Sequence, residues 1–121
     1  MLNVELDSED WIYLPGSMLT GRIVWEMAQV PKIIEASLTW ETEGKGDEDC
    51  DIAIEQTWTP STATGTQAFR WKMPRGPLSL DGTLIRIRWS IQCTSKRPDE
   101  NCSKPIVLSH LKRPLILTTV K

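Results

Sequence analysis

The sequence is poor in several residue types on which enzymes and membrane proteins depend. It contains a single His, and GxSxG and Walker patterns are absent, so no nucleophile–base pair or phosphate-binding loop is indicated. Its apolar runs end after a few residues, whereas a membrane-spanning helix needs about 20. The start, MLNVELDSED, has neither the basic residues nor the apolar stretch of a secretory leader. We therefore expect a cytoplasmic protein that is not an enzyme and has no membrane span.

A sustained helical period is also missing, and alternation of apolar and polar residues takes its place. The clearest example runs from Ile85 to Gln92, where three isoleucines and Trp89 share one face. Similar runs follow one another along the chain, separated by turns rich in proline or glycine. The pattern predicts an all-β fold, an immunoglobulin-like antiparallel β-sandwich of about eight or nine strands. The chain length predicts a single domain, residues 1–121.

Tyrosine and phenylalanine occur once each, but tryptophan occurs six times. Alternation places five of the tryptophans on inward strand faces, where large aromatic side chains fill the space between two sheets. We therefore interpret them as core residues rather than as a stacking platform for ligands. These tryptophans are Trp25, Trp40, Trp58, Trp71 and Trp89.

An acidic turn, residues 43–51, is the best candidate for a metal site. Asp47, Asp49 and Asp51 alternate like the first ligands of a calcium loop, but Ile52 and Trp58 stand where an EF-hand needs glycine and glutamate. A calcium site at a sandwich edge would need further carboxylates, and the available donors are Asp81 and Asp99. A solvated hairpin turn between two alternating runs is the alternative that we favour, and we predict no cofactor.

The three cysteines could bind zinc with His110, but no CxxC or CxH pair is present to fix two ligands at once. Cys50 and Cys93 fall at inward positions of the alternation, where a free cysteine behaves as a small apolar residue. In a reducing compartment we expect thiols. Cys93 and Cys102 flank a short connection, so whether they can pair across a hairpin stays open.

Charge is distributed unevenly although the net charge is only −2. Residues 1–60 carry 13 acidic and 3 basic side chains, and residues 61–121 carry 3 acidic and 11 basic ones. If the two strands of residues 69–93 are neighbours, their outward basic residues converge into one cluster, with Arg75 nearby. These candidate peptide-binding residues are Arg70, Lys72, Arg86 and Arg88. Compensation by acidic side chains of the protein itself is the alternative; the acids concerned are Glu35, Glu41, Asp51 and Glu55.

Two segments have a spacing of turn and apolar residues beyond simple alternation. The first is Y-x-P-G-x-x-L-x-G-x-I at residues 13–23. The second is F-x-W-x-M-P at 69–74, continued by P-x-S-L-x-G at 77–82 and I-x-I-x-W-x-I at 85–91. Together they resemble the N-terminal domain of arrestin-like proteins, a group that includes arrestins, the arrestin-like retromer subunit and bacterial sporulation-control proteins. Here one such domain stands where arrestins have two in tandem.

The resemblance implies an immunoglobulin-like sandwich that serves as a non-catalytic adaptor or scaffold for proteins. No residue matches the phosphate-sensing basic pair or the buried polar core of arrestins, so receptor-phosphate recognition is not implied. We expect a protein-interaction module that docks an acidic or extended peptide. The alternatives are a calcium-type or hydrolytic activity at the acidic turn and a self-assembling structural unit. A pI near 5.4 opposes attraction of nucleic acid. The partner and the oligomeric state are not indicated.

Overall fold

The computed structural model describes the backbone of residues 1–8, 11–44, 49–77, 79–81, 85–109 and 115–116. The side chains at 80, 81, 85, 86, 115 and 116 lie outside this description. The described residues form ten strands: β1 (Leu2–Leu6), β2 (Ile12–Tyr13), β3 (Met18–Glu26), β4 (Ile33–Gly44), β5 (Cys50–Trp58), β6 (Thr64–Lys72), β7 (Leu80–Asp81), β8 (Ile85–Lys96), β9 (Glu100–Leu108) and β10 (Leu115–Ile116). They include no helix that is long and apolar enough to cross a membrane.

The strands form two sheets. The small sheet has the order β1-β3-β6 and is antiparallel. The large sheet has the order β10-β7-β8-β4-β5, with β9 also beside β8 and β2 beside β9. Its long strands pair antiparallel, while two-residue β2 and β10 run parallel to β9 and β7. The predicted all-β sandwich is confirmed. The structure has more strands than the eight or nine predicted because β2, β7 and β10 are only two residues long, which is too short to produce an alternating pattern in the sequence.

The core lies between the inward faces of the two sheets. In β3, exposure alternates residue by residue, so that Leu19, Ile23 and Trp25 are buried while Arg22 and Glu26 are exposed. This is the period of two that a strand with one buried face requires. The core also includes Val4, Ile34, Leu38, Phe69, Trp71, Met73, Trp89, Ile91, Ile106 and Leu108.

The tryptophans confirm the predicted core only in part. Trp25, Trp71 and Trp89 are at most 5% exposed, whereas Trp40 and Trp58 are half-buried and pack against the edge of the core. Each buried indole also has a hydrogen-bond acceptor, as a buried N–H requires. The Nε1 atoms of Trp25, Trp71 and Trp89 donate to Thr62 O at 3.1 Å, Gln56 Oε1 at 2.9 Å and Pro77 O at 2.6 Å.

A β-bulge between β4 and β5 overturns part of the predicted hairpin. The two strands do pair antiparallel, but the register shifts between Leu38 and Thr39, so that Ala53 has no partner. An extra residue reverses the faces of all side chains that precede it in β5. Cys50 and Ile52 therefore lie on the outer face and are exposed, contrary to the prediction that Cys50 faces inward.

Gly21 in β3 marks a close approach of two backbones. The glycine lies opposite Leu6 of β1, and a Cβ atom at this position would collide with the Glu5 carbonyl and lie 3.2 Å from the Leu6 Cα. β1 can pair with β3 at this distance only because residue 21 has no side chain.

Truncation of Trp89 to alanine is expected to destabilise the protein by about 3–5 kcal/mol, because the change leaves a large cavity in the core. Trp89 is 1% exposed, so almost all of its side chain contributes to packing. Urea unfolding measures the loss. Trp11→Ala is the matched control: Trp11 is 43% exposed, and its truncation should cost less than about 1 kcal/mol. Equal losses in the two variants would contradict the core assignment.

Candidate functional site

The four predicted peptide-binding residues do not form one cluster. Arg70 and Lys72 lie on β6 in the small sheet, whereas Arg86 and Arg88 lie on β8 in the large sheet. The connection between β6 and β8 crosses from one sheet to the other. The outer faces of two packed sheets point in opposite directions, so the predicted convergence is wrong. The side chain of Arg86 lies outside the described residues.

Arg88 has acidic neighbours within its own sheet. It lies opposite Glu41 of β4 in the register, and its Nη1 atom is 3.6 Å from Glu43 Oε2. Both members of this ion pair are about half exposed, so the pair contributes at most about 1 kcal/mol to stability. For Arg88, the alternative of compensation by the protein itself is the one that the geometry favours.

Arg22 on β3 is compensated in the same way. Its Nε atom lies 2.8 Å from Glu5 Oε1, and its Nη1 atom lies 3.7 Å from Asp7 Oδ1. Glu5 is the direct cross-strand neighbour of Arg22 in the small sheet. Opposite charges at such positions attract, so this cation already has a partner within the fold.

Arg70 and Lys72 differ from these two arginines because neither side chain forms an ion pair or hydrogen bond with any described residue. Both are exposed, and Trp71 between them points into the core. Lys72 lies opposite Met18, whose side chain is 39% exposed. The acids proposed as compensators lie on β4 and β5 of the other sheet. Two uncompensated cations, two residues apart, thus share the outer face of β6.

The strand that carries these cations is also the edge of its sheet. β6 pairs with β3 along its whole length, and no described strand pairs with its other side. Such an edge presents backbone N–H and C=O groups to which another extended chain can bind. The cations and the open edge together make β6 the candidate binding site.

The acidic turn does not bring metal ligands together among the residues that the structure describes. Asp47 lies outside them, as do His110 and the side chain of Asp81. Asp49 Oδ1 accepts from Cys50 N at 2.9 Å, and Asp51 Oδ1 accepts from Ile52 N at 2.8 Å. Asp99 accepts from the backbone of Arg97 at 3.1 Å. Within the described ranges, no three His, Cys, Asp or Glu side chains are grouped so that they could hold a metal ion.

Cys93 and Cys102 lie directly opposite each other in β8 and β9. Both are free thiols, and Cys102 Sγ is 3.8 Å from Asn3 Oδ1. Burial, and secondly the negative charge of a Cys102 thiolate, raise the pKa of Cys93 to about 12. The sequence had left open whether the two can pair; the register places them opposite each other, and both are free thiols in this structure.

A shallow depression of about 500 Å³ lies over the bulge on the outer face of the large sheet. Its polar lining is engaged internally, since Thr39 Oγ1 and Ser90 Oγ are 3.3 Å apart and Gln92 Nε2 donates to Ser90 Oγ at 2.7 Å. Cys50 and Ile52 form its outer side. Cys50 lies opposite Glu41 in the register, and both residues belong to the lining.

Gln56, a residue that contacts β6, was not identified from the sequence. Gln56 occupies an inward position of β5 between Ile54 and Trp58, and it accepts the indole hydrogen bond of Trp71. A polar residue at an inward position is the signal that could have identified it. Such a residue indicates that this part of the face is incompletely covered.

The comparisons with known proteins identify a fold and nothing more specific. No protein-family model matches the chain, and no curated protein matches its sequence. Among solved structures, it is similar to Spo0M, a sporulation control protein from Bacillus subtilis, with a TM-score of 0.64 and 14% sequence identity. The fold is arrestin-like. The match covers 89% of this chain and 48% of that protein, so the chain spans about half the length of Spo0M. The predicted resemblance is confirmed at the level of the fold.

The cysteines are expected to react with a thiol reagent in the order Cys50, Cys102, Cys93. Cys50 is exposed, Cys102 is half-buried, and Cys93 is 0% exposed with a raised pKa that disfavours the reactive thiolate. Timed alkylation followed by peptide mass spectrometry gives the order. Unfolding in urea should make the three rates similar. Modification of Cys93 before Cys50 in the folded protein would contradict the placement of both.

Stability is expected to fall as pH rises above about 9, in part because of Cys93. The folded protein keeps the Cys93 proton up to about pH 12, while the unfolded chain releases it near 9.0, the ordinary pKa of a cysteine thiol. The unfolded state therefore binds fewer protons in this window, and the free energy of unfolding decreases. Urea unfolding of the wild type and Cys93→Val between pH 7 and about pH 10 isolates this contribution. Parallel pH curves would show that Cys93 contributes nothing.

Proposed function

We propose that this chain is a non-catalytic protein-interaction module that docks an acidic, extended segment at the outer edge of β6. The observation that carries the proposal is the pair Arg70 and Lys72, exposed cations without a partner among the described residues, on a strand whose second side is open. The site that the sequence predicted on both strands is thus reduced to its β6 half. Arg88, which Glu43 already engages, is not part of it.

Two kinds of interaction support binding of an acidic segment at this edge. Backbone hydrogen bonds to the open side of β6 give affinity for any extended chain, independent of its side chains. The guanidinium of Arg70 and the ammonium of Lys72 add preference for carboxylates, with which charge-assisted hydrogen bonds are stronger than neutral ones. Both cations are exposed, so salt should weaken the electrostatic part over about 8–10 Å. An acidic pI near 5.4 disfavours nucleic acid as the anionic partner.

The proposal is tested with a fluorescent synthetic peptide of the sequence Thr-Glu-Val-Glu-Val-Glu-Thr. Reversal of both charges in the double variant Arg70→Glu/Lys72→Glu should weaken its binding at least tenfold, or about 1.4 kcal/mol. The reason is that two attractions at the site become repulsions. Fluorescence anisotropy at two salt concentrations measures the dissociation constants, and higher salt should reduce the difference between wild type and variant.

The matched control is Arg88→Glu/Lys96→Glu. It also replaces one arginine and one lysine, both exposed on β8, and changes the net charge by the same amount on the opposite sheet. This control should bind the peptide nearly as well as the wild type. Equal weakening by both double variants would mean that only net charge matters, and the proposed site on β6 would be wrong.

A further inference from the structure

The inner face of the large sheet is covered unevenly. Ile34, Ala36 and Leu38 of β4 are all 0% exposed. Their direct neighbours on β5 face the same way, because opposite residues of an antiparallel pair lie on one face. Yet Trp58 and Ile54 are only half-buried, and Gln56 is exposed; these are the partners of Ile34, Leu38 and Ala36, respectively. The inner face of the large sheet is therefore buried at β4 and partly open to solvent at β5.

The small sheet explains this difference, since it ends at β6. Trp71 of β6 reaches Gln56 with its indole nitrogen at 2.9 Å, which places the last covering side chain over the middle of β5. No described strand continues the small sheet beyond β6. The inward side of β5 and the open backbone edge of β6 thus border the same space.

A strand added to the edge of β6 would occupy this space. Neighbouring strands lie about 4.8 Å apart, so the added strand would extend the small sheet over β5. Its side chains would alternate between two surroundings. One set would face the half-buried Ile54 and Trp58, and the other set would point outward beside Arg70 and Lys72.

We infer that the partner of the β6 edge is an extended segment in which acidic and apolar residues alternate, with two acids separated by one apolar residue. This inference rests on the proposed function and specifies its ligand class. Outward residues of one strand recur every 6.6–6.8 Å, roughly two residue rises, so acids two residues apart can each meet one of the two cations. The intervening apolar residue then covers β5. Consecutive acids could not satisfy both conditions.

The strand β5 of a second copy does not fit this description, although it contains Asp51 and Glu55 with apolar residues between them. The bulge puts the two acids on different faces: Asp51 lies opposite Trp40 on the inner face, and Glu55 lies opposite Ser37 on the outer face. β5 therefore does not present acids two residues apart on one face. The end of β1 has the required spacing at Glu5, Leu6 and Asp7, but Arg22 of the same chain already pairs with both acids. We therefore assign the edge to a separate acidic and apolar segment rather than to a second copy.

Two peptides of equal composition test the inference. The alternating peptide is Thr-Glu-Val-Glu-Val-Glu-Thr, and the block peptide Thr-Glu-Glu-Glu-Val-Val-Thr has the same charge without alternation. The alternating peptide should bind the full chain about tenfold more tightly, since only it can pair with β6 and cover β5 together. N-methylation of the backbone amides of either its valines or its glutamates tests whether the peptide pairs with β6 through its backbone. One of these two sets of amides faces β6, so one methylated peptide should lose binding and the other should retain it.

The chain offers a matched pair of variants on β5. Ile54→Ser removes an apolar contact on the inner face, whereas Ile52→Ser makes the same change on the outer face beyond the bulge. Ile54→Ser should lower the affinity for the alternating peptide and leave the block peptide unaffected, and Ile52→Ser should change neither. Thermal unfolding of both variants confirms that each is folded at the temperature of the binding experiment.

The outcomes separate the two proposals. Equal binding of both peptides, abolished by Arg70→Glu/Lys72→Glu, would leave the acidic-segment site in place and overturn the inferred alternation of acidic and apolar residues. Binding that survives this double variant, or no binding of either peptide, would overturn the proposed function and this inference with it. Self-association of the peptide-free protein that Ile54→Ser disrupts, measured by light scattering, would identify a second copy as the occupant and overturn the assignment made here.

Discussion

The burial of Trp89 constrains the rest of the fold. Its ring lies between the two sheets at 1% exposure, and its indole nitrogen needs an acceptor because water is excluded there. That acceptor is the carbonyl of Pro77 at 2.6 Å, which belongs to the connection between β6 and β8. This hydrogen bond ties the segment that changes sheets to the centre of the core. The separation of the two basic pairs onto opposite surfaces follows from this crossover.

The unequal width of the sheets connects this core to the candidate site. The three strands of the small sheet do not cover the whole inner face of the larger sheet. The β9 side is covered, because β1 lies over it and accepts a hydrogen bond at Val4 O from Lys104 Nζ of β9 at 2.9 Å. The uncovered part therefore lies at β5. On the β5 side the closing contact is the weaker one between Trp71 and a partly solvated Gln56. Among the described residues, the open edge of β6 and the incompletely covered apolar residues of β5 thus have one geometric cause, and the exposed Arg70 and Lys72 lie beside them.

The amino-acid sequence predicted side-chain direction well and strand neighbours poorly. Alternation identified the buried faces of β3, β4 and β8, because the period of two is a property of each strand alone. It also brought Cys93 and Cys102 into proximity, since a short connection between antiparallel strands determines the pairing. It did not show that β6 and β8 belong to different sheets, because alternation carries no information about which strand lies beside which. The exposure of Cys50 and Ile52 was missed for a related reason: a bulge leaves the composition of β5 unchanged and alters only its pairing.

The bulge at Ala53 has a consequence for how the β4–β5 hairpin tolerates changes in length. Loss of this one unpaired residue would restore continuous pairing, but it would turn Cys50, Asp51 and Ile52 over to the opposite faces. Asp51 would then lie on the outer face, and Ile52, which is now exposed, would face the interior. Removal of two residues would leave the faces as they are. In this hairpin, an insertion or deletion of an odd number of residues in β5 therefore exchanges its inner and outer side chains, whereas an even number keeps them on their faces.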